Sequence, residues 1–204
     1  MKNIFSLFSF ITALFMSVSA YSVEVVEVSP YKVIETVGHN LFERIANNQQ
    51  EIEKFPDLMR NIVDEELMPY IDYRYAAYKI LGKNLQTSTK EQRENFVLSM
   101  RQYLIRTYAN ALTQYKDQKV IFEPEKSTNG KNIVSVTTQI IDGQRPTIDI
   151  NFKLRKNKNT LEWKAFDMVV EGISLLSSKQ AELSNRIAKE GIETVTLELA
   201  SITK

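Results

Sequence analysis

Thr147-Ile148-Asp149-Ile150-Asn151-Phe152-Lys153-Leu154 alternates without a break: Ile148, Ile150, Phe152 and Leu154 fall on one side, Thr147, Asp149, Asn151 and Lys153 on the other. Successive side chains of a strand point to opposite faces, so this stretch is a strand with one buried and one wet face. Upstream, Asp142-Gly143 marks a turn, and Val134, Val136, Thr138 and Ile140 form the apolar side of a second strand. Val120-Ile121-Phe122 is a shorter strand cut off by Pro124. Downstream, a polar turn at 156–159 leads into a strand over 161–170. The expected product is an antiparallel meander of four strands.

Register follows from the same alternation. A turn centred on 157–158 pairs Leu154 with Leu161, Phe152 with Trp163 and Ile150 with Ala165. A slip by one residue puts Glu162 and Lys164 on the apolar face, which a buried face forbids. Phe166, Met168 and Val170 nevertheless form an apolar set of the opposite parity. Either both faces are covered there, or a bulge near Ala165-Phe166 switches the parity. Cover on both faces is the expectation, because helices follow at once.

The chain before the sheet is helical. Ser29-Pro30 reads as an N-cap with proline in the first turn, followed by Val33, Val37, Leu41 and Ile45 at helical spacing. Pro56 opens a second helix with Leu58, Ile62, Val63 and Leu67 on one side, and Pro69 ends it. A short aromatic helix carries Tyr73, Tyr75 and Tyr78 and stops at Gly82. Ser88 with Glu91 and Thr89 with Gln92 both fit a capping box. Behind them runs the longest helix, with Phe96, Met100, Tyr103, Leu104, Tyr108, Leu112 and Tyr115. After Gly172 come two more segments at helical spacing, one with Leu175, Leu176, Leu183 and Ile187, one with Ile192, Val195, Leu199 and Ile202. The fold class is α+β: N-terminal helices, an antiparallel sheet, C-terminal helices.

Residues 1–20 carry one basic residue, Lys2, then an apolar run ending at Val18-Ser19-Ala20. This is the pattern of a secretory signal peptide, with cleavage expected after Ala20. The run of about fifteen residues is short of the roughly 20 that span a bilayer. No cysteine follows, which excludes a lipoprotein anchor. The expected mature part, 21–204, is a single domain, with 21–29 a loose lead-in.

The whole chain has 26 Lys+Arg and 25 Asp+Glu, so removing Lys2 leaves the mature part with no net charge. That argues against a nucleic-acid partner and against a polybasic membrane anchor. With no cysteine and one histidine, His39, thiol chemistry and multi-histidine metal sites are excluded. His39 lies between polar neighbours and reads as a surface residue. Asp64-Glu65-Glu66 reads as a solvated helix face, since consecutive helical positions point apart. Asp167, at the end of an otherwise apolar face, is read as structural: a carboxylate that binds a nearby backbone or arginine group, or helps shape a pocket rim. No G-x-S-x-G, H-E-x-x-H or glycine-rich phosphate loop occurs. Outside the leader stand nine tyrosines and six phenylalanines. Tyrosine suits a core near water or the mouth of an apolar cavity; a filled core is the plainer reading for an α+β domain, and periodicity does not separate it from a hollow one.

Several segments resemble one family. Ile62-Val63-Asp64-Glu65-Glu66-Leu67-Met68-Pro69-Tyr70 is similar to the I-V-D-x-E-L-x-P-Y segment of the MlaC, or toluene-tolerance, family. Tyr75-Ala76 with Ile80-Leu81-Gly82, Trp163-x-Ala165-Phe166-Asp167-Met168, Glu171-Gly172-Ile173-Ser174 and Lys189-x-Gly191-Ile192 follow in order over essentially the whole mature chain. Phe166 stands where a tyrosine is common, and Glu24, Glu27 and the valines before Ser29 have no counterpart. The resemblance implies a non-enzymatic periplasmic carrier. It would ferry phospholipid between an outer-membrane lipoprotein–porin complex and an inner-membrane ABC transporter complex, maintaining outer-membrane lipid asymmetry. It implies no cofactor beyond the phospholipid cargo, a monomer, and acyl tails held between helices and sheet. The head group would stay near solvent, without a strong basic site.

The apolar faces then supply the expected lipid-binding pocket: Ile62, Val63, Leu67, Tyr75, Leu81, Met100, Leu104, Tyr108, Val136, Ile140, Ile150, Phe152, Trp163, Val169 and Ile173. Two other classes compete with the carrier. One is a cone-fold enzyme pairing Asp167 with a tyrosine on a small hydrophobic substrate. The other is an interaction module with a filled core.

Overall fold

The computed structural model describes residues 28–201 apart from 117 and 144; the signal-peptide reading of 1–20 lies outside them. Ser29 accepts the N–H of Lys32, and Pro30 occupies the first turn of α1, Pro30–Asn47. Two short helices follow, α2 (Gln49–Lys54) and α3 (Asp57–Ile62). The expected single helix up to Pro69 is instead three windings: α3, a π turn over Val63–Leu67 and a 3-10 turn over Met68–Tyr70. Proline lacks the N–H that an α-helical ladder needs, so the chain changes pitch around it. Ion pairs of Asp64 with Arg101, and of Glu65 and Glu66 with Arg44, lock the π turn to its neighbours.

Asp72 caps α4 (Tyr73–Leu81) by accepting the Tyr75 N–H at 3.1 Å. Gly82 ends it at φ 52°, a conformation that glycine adopts without steric cost. One turn, α5 (Asn84–Thr87), precedes the long α6 (Lys90–Leu112). Of the two capping boxes legible in the sequence, the structure uses Thr89 with Gln92. After the sheet come α7 (Leu175–Glu190) and α8 (Ile192–Ser201), divided at Gly191.

The sheet has five strands rather than four: β1 (Lys119–Phe122), β2 (Ile133–Ile141), β3 (Ile148–Lys156), β4 (Trp163–Val170) and the two-residue β5 (Ile173–Ser174). They lie in chain order and pair antiparallel throughout. The β3–β4 register differs from the expected one. Lys156 faces Trp163, Leu154 faces Ala165, and after a shift Lys153 faces Asp167 and Phe152 faces Met168. Phe166 is the extra residue, so β4 bulges there, and the parity switch rather than cover on both faces explains its two apolar sets. The bulge aims the Phe166 ring edge-on at Tyr75, with centroids 5.1 Å apart.

Three apolar clusters hold these layers. Phe96, Val97 and Met100 of α6 pack with Leu81 of α4, Leu183 of α7 and Val195 of α8. The other half of α6 packs Ile105 and Ala109 against Leu41 and Ile45 of α1 and Met59 and Ile62 of α3. On the sheet, Val134, Val136, Leu154, Trp163 and Ala165 close around Tyr31 of α1. Fully burying each large apolar side chain is worth about 1.5–3 kcal/mol. Ile71 packs against both the second cluster and the sheet cluster, and Tyr73 against the first and second.

Candidate functional site

The apolar face of the sheet is closed at one end and incompletely covered at the other. Register puts Ile140, Ile148, Ile150, Phe152, Met168 and Val170 on the same face as the buried Val136 and Leu154. None of these six is fully buried, and Ile148 is 37% exposed. On the helical side, Leu104, Tyr108 and Leu112 form an i, i+4, i+8 stripe on α6 that is likewise half-buried. Burial pushes the Tyr108 hydroxyl up to about 12, with smaller contributions from the Asp167 carboxylate and from Tyr103. The hydroxyl is thus enclosed by protein while the residue as a whole stays half-buried. Ile71 joins the two half-buried surfaces, since it touches the clusters on both sides.

The fifteen expected pocket residues divide accordingly. Leu104 and Tyr108 on α6 and Ile140, Ile150 and Phe152 on the sheet belong to these surfaces, and Leu67 is a half-buried neighbour on the π turn. Ile62, Val63, Leu81, Met100, Val136 and Trp163 are each at most 2% exposed, so close packing occupies their whole surface. Tyr75 lies on the flank, with the Arg155 guanidinium 4.3 Å from its ring centre. Val169 faces Asn151 and therefore turns away from Phe152, a consequence of the Phe166 bulge. Ile173 sits on β5 and is 61% exposed, because a two-residue edge strand carries no cover. Met168 and Val170 take the wall positions that the unbulged register assigned to Asp167 and Val169. Their signal was already in the sequence as the set of opposite parity.

The polar candidates are occupied structurally. Asp167 accepts from Lys153 at 3.0 Å, from the Ser174 hydroxyl at 2.8 Å and from the Leu176 N–H at 3.1 Å. The role read from sequence, a carboxylate bound to nearby backbone, is the one observed. His39 is exposed and rests against Phe122, ring centres 4.9 Å apart. Among the described residues no group of three or more histidine, aspartate or glutamate side chains could hold a metal ion. Two surface hollows, of about 330 Å³ beside Arg44 and Glu66 and about 370 Å³ between α6 and α8, involve none of the fifteen residues. No helix of the described residues is long and apolar enough to cross a membrane.

Element order and sheet order define the class. This is the α+β fold of a phospholipid-binding protein from Ralstonia solanacearum solved in complex with a phospholipid: TM-score 0.75 at 19% identity, covering 85% of this chain and 96% of that one. The chain belongs to the MlaC protein family, whose model matches residues 35–201. It is 32% identical over 197 residues to the intermembrane phospholipid transport system binding protein MlaC of Haemophilus influenzae, covering 96% of this chain and 90% of that protein. It is 21% identical over 164 residues to the toluene tolerance protein ttg2D of Pseudomonas putida, covering 80% and 75%.

Proposed function

We propose that this protein is a phospholipid carrier of the periplasm, holding acyl chains between the uncovered half of the sheet and the Leu104–Tyr108–Leu112 stripe of α6. The observation that carries the reading is this pair of incompletely buried apolar surfaces, in a family with a member named for intermembrane phospholipid transport. Each methylene removed from water is worth about 0.8 kcal/mol, so a lipid crossing an aqueous gap needs such an enclosure. In this reading the leader is cleaved after Ala20. Cargo passes between an outer-membrane lipoprotein–porin complex and an inner-membrane ABC transporter complex, which maintains lipid asymmetry. The competing enzyme needs Asp167 free to pair with a tyrosine, whereas three donors already bind that carboxylate.

The test is to express the chain with its leader, purify the exported protein without detergent, and analyse it by native mass spectrometry and solvent extraction. Co-purified phospholipid in stoichiometric amount is expected. Lipid-free protein that also takes up nothing from phospholipid vesicles would reject the carrier.

A further inference from the structure

Cover on the apolar face of the sheet changes abruptly along the strands. Register sets residues of β2, β3 and β4 side by side in rows: Thr138 with Ile150 and Val170, then Val136 with Phe152 and Met168. In both rows the β2 member is buried, Thr138 at 3% and Val136 at 1% exposed, while its partners on β3 and β4 are half-buried. The next row is Val134, Leu154 and Ala165, and there all three are buried, Leu154 at 0%. The incompletely covered surface is therefore a lane over β3 and β4 rather than the whole sheet. It ends at Leu154, which Tyr31 of α1, Trp163 and Ala165 close off, and Phe152 packs against that cluster from the lane side.

The lane is as long as a membrane acyl chain. From Ile148, at its exposed end, to Leu154 the strand rises about 20 Å. The hydrocarbon core of a bilayer is about 30 Å thick, so the chains of one leaflet reach about 15 Å. A polar head group would be costly at the sealed end, so a phospholipid enters tail first. We propose that Leu154, backed by Tyr31, is the stop against which the acyl terminus rests, and that it sets the chain length this protein accepts. The proposal rests on the carrier reading and deepens it. A chain that is too long leaves methylenes in water at the open end, and one that is too short leaves the wall at Phe152 uncovered. Each methylene so misplaced lowers relative uptake by up to about fourfold.

The experiment incubates the full mature chain with vesicles holding equal amounts of phosphatidylglycerols whose monounsaturated chains have fourteen, sixteen, eighteen, twenty or twenty-two carbons. Each bound species is counted by native mass spectrometry. Wild type should load progressively less of the members beyond one length. Leu154→Ala removes the bulk of the stop and should raise the share of those longer lipids about fourfold or more. Met168→Phe narrows the lane one row before the stop and should shift the limit to shorter chains by a similar factor. Val195→Ala loosens the core in the cluster around Phe96, away from the lane, and should keep the wild-type profile. A folded Leu154→Ala with the wild-type profile overturns the stop and leaves the carrier standing. If Leu154→Ala does not fold, a wild-type profile in Met168→Phe overturns it in the same way. An equal shift in Val195→Ala would trace the effect to general loosening and would also overturn the stop. Failure of wild type to take up any of the lipids overturns the carrier, and the stop with it.

Discussion

The N–H of Leu176 donates to the Asp167 carboxylate at 3.1 Å, so a side chain on β4 caps the helix that follows the sheet. The same carboxylate holds Lys153 across the sheet and the Ser174 hydroxyl at the start of α7. Strand pairing and helix initiation therefore depend on one residue, whose side chain is 3% exposed. Asp167→Ala strands the Leu176 N–H and leaves Lys153 unpaired, and should cost about 2–4 kcal/mol. Asp167→Asn keeps an acceptor for Leu176 and should cost about 1–2 kcal/mol. Urea unfolding of both variants measures the difference. Equal stability of wild type and Asp167→Ala would show that the cap is unimportant.

Gly38 places α1 against β1. A Cβ there would come within 2.5 Å of the Phe122 ring, so Gly38→Ala must push the ring away. The expected loss is about 1–3 kcal/mol, as for other overpacked sites. Phe122→Leu in the same chain should recover part of it. A double-mutant cycle by thermal melting tests the coupling, and strictly additive losses would contradict it.

Ile150 and Val136 lie on the same face of the sheet but differ in cover. Val136 is 1% exposed and packed, so Val136→Trp should disrupt the fold itself. Ile150 is half-buried at the uncovered end, so Ile150→Trp should keep the circular dichroism spectrum and melting transition near wild type while abolishing lipid uptake. Unimpaired uptake by a folded Ile150→Trp would place the acyl chains elsewhere.

Glu123 ties β1 to β2 by accepting the Thr137 N–H at 2.7 Å. Burial works to raise its pKa, but the Lys126 ammonium and the Thr137 N–H outweigh that and hold the carboxyl below its ordinary value. A carboxylate lowered in the folded state stabilises the fold above its unfolded pKa of about 4.3, and that contribution is lost as pH falls through the folded value. Wild type should therefore lose stability more steeply than Glu123→Gln below about pH 5. Parallel acid titrations of the two melting curves would disprove this.

Much of this architecture is legible in the residues because it is set locally. Ser29-Pro30, Thr89 with Gln92, Gly82 and Gly191 mark helix ends through hydrogen bonds and backbone conformations that each short segment makes for itself. The alternation of 148–154 likewise defines β3. What escapes the sequence depends on contacts between distant segments. The two parities of β4 fit either a bulge or a second covering layer, and only the placement of α1 and α7 decides between them. The π turn at Val63–Leu67 has helical spacing and is distinguished by its ion pairs to α1 and α6. Periodicity marks Met100 and Leu104 as equally apolar, yet one is sealed in a cluster and the other is half-buried.

The extra residue at Phe166 also acts as a selector of interior chemistry. With it, β4 turns Met168 and Val170 inward, and Asp167 and Val169 outward. Drawing Phe166 into plain alternation would exchange the two sets and put a carboxylate where an acyl chain would lie, whereas deleting Phe166 would leave both sets where they are. The affinity of this interior for grease thus hangs on how the strand sets one backbone unit aside, and not only on which side chains it contains.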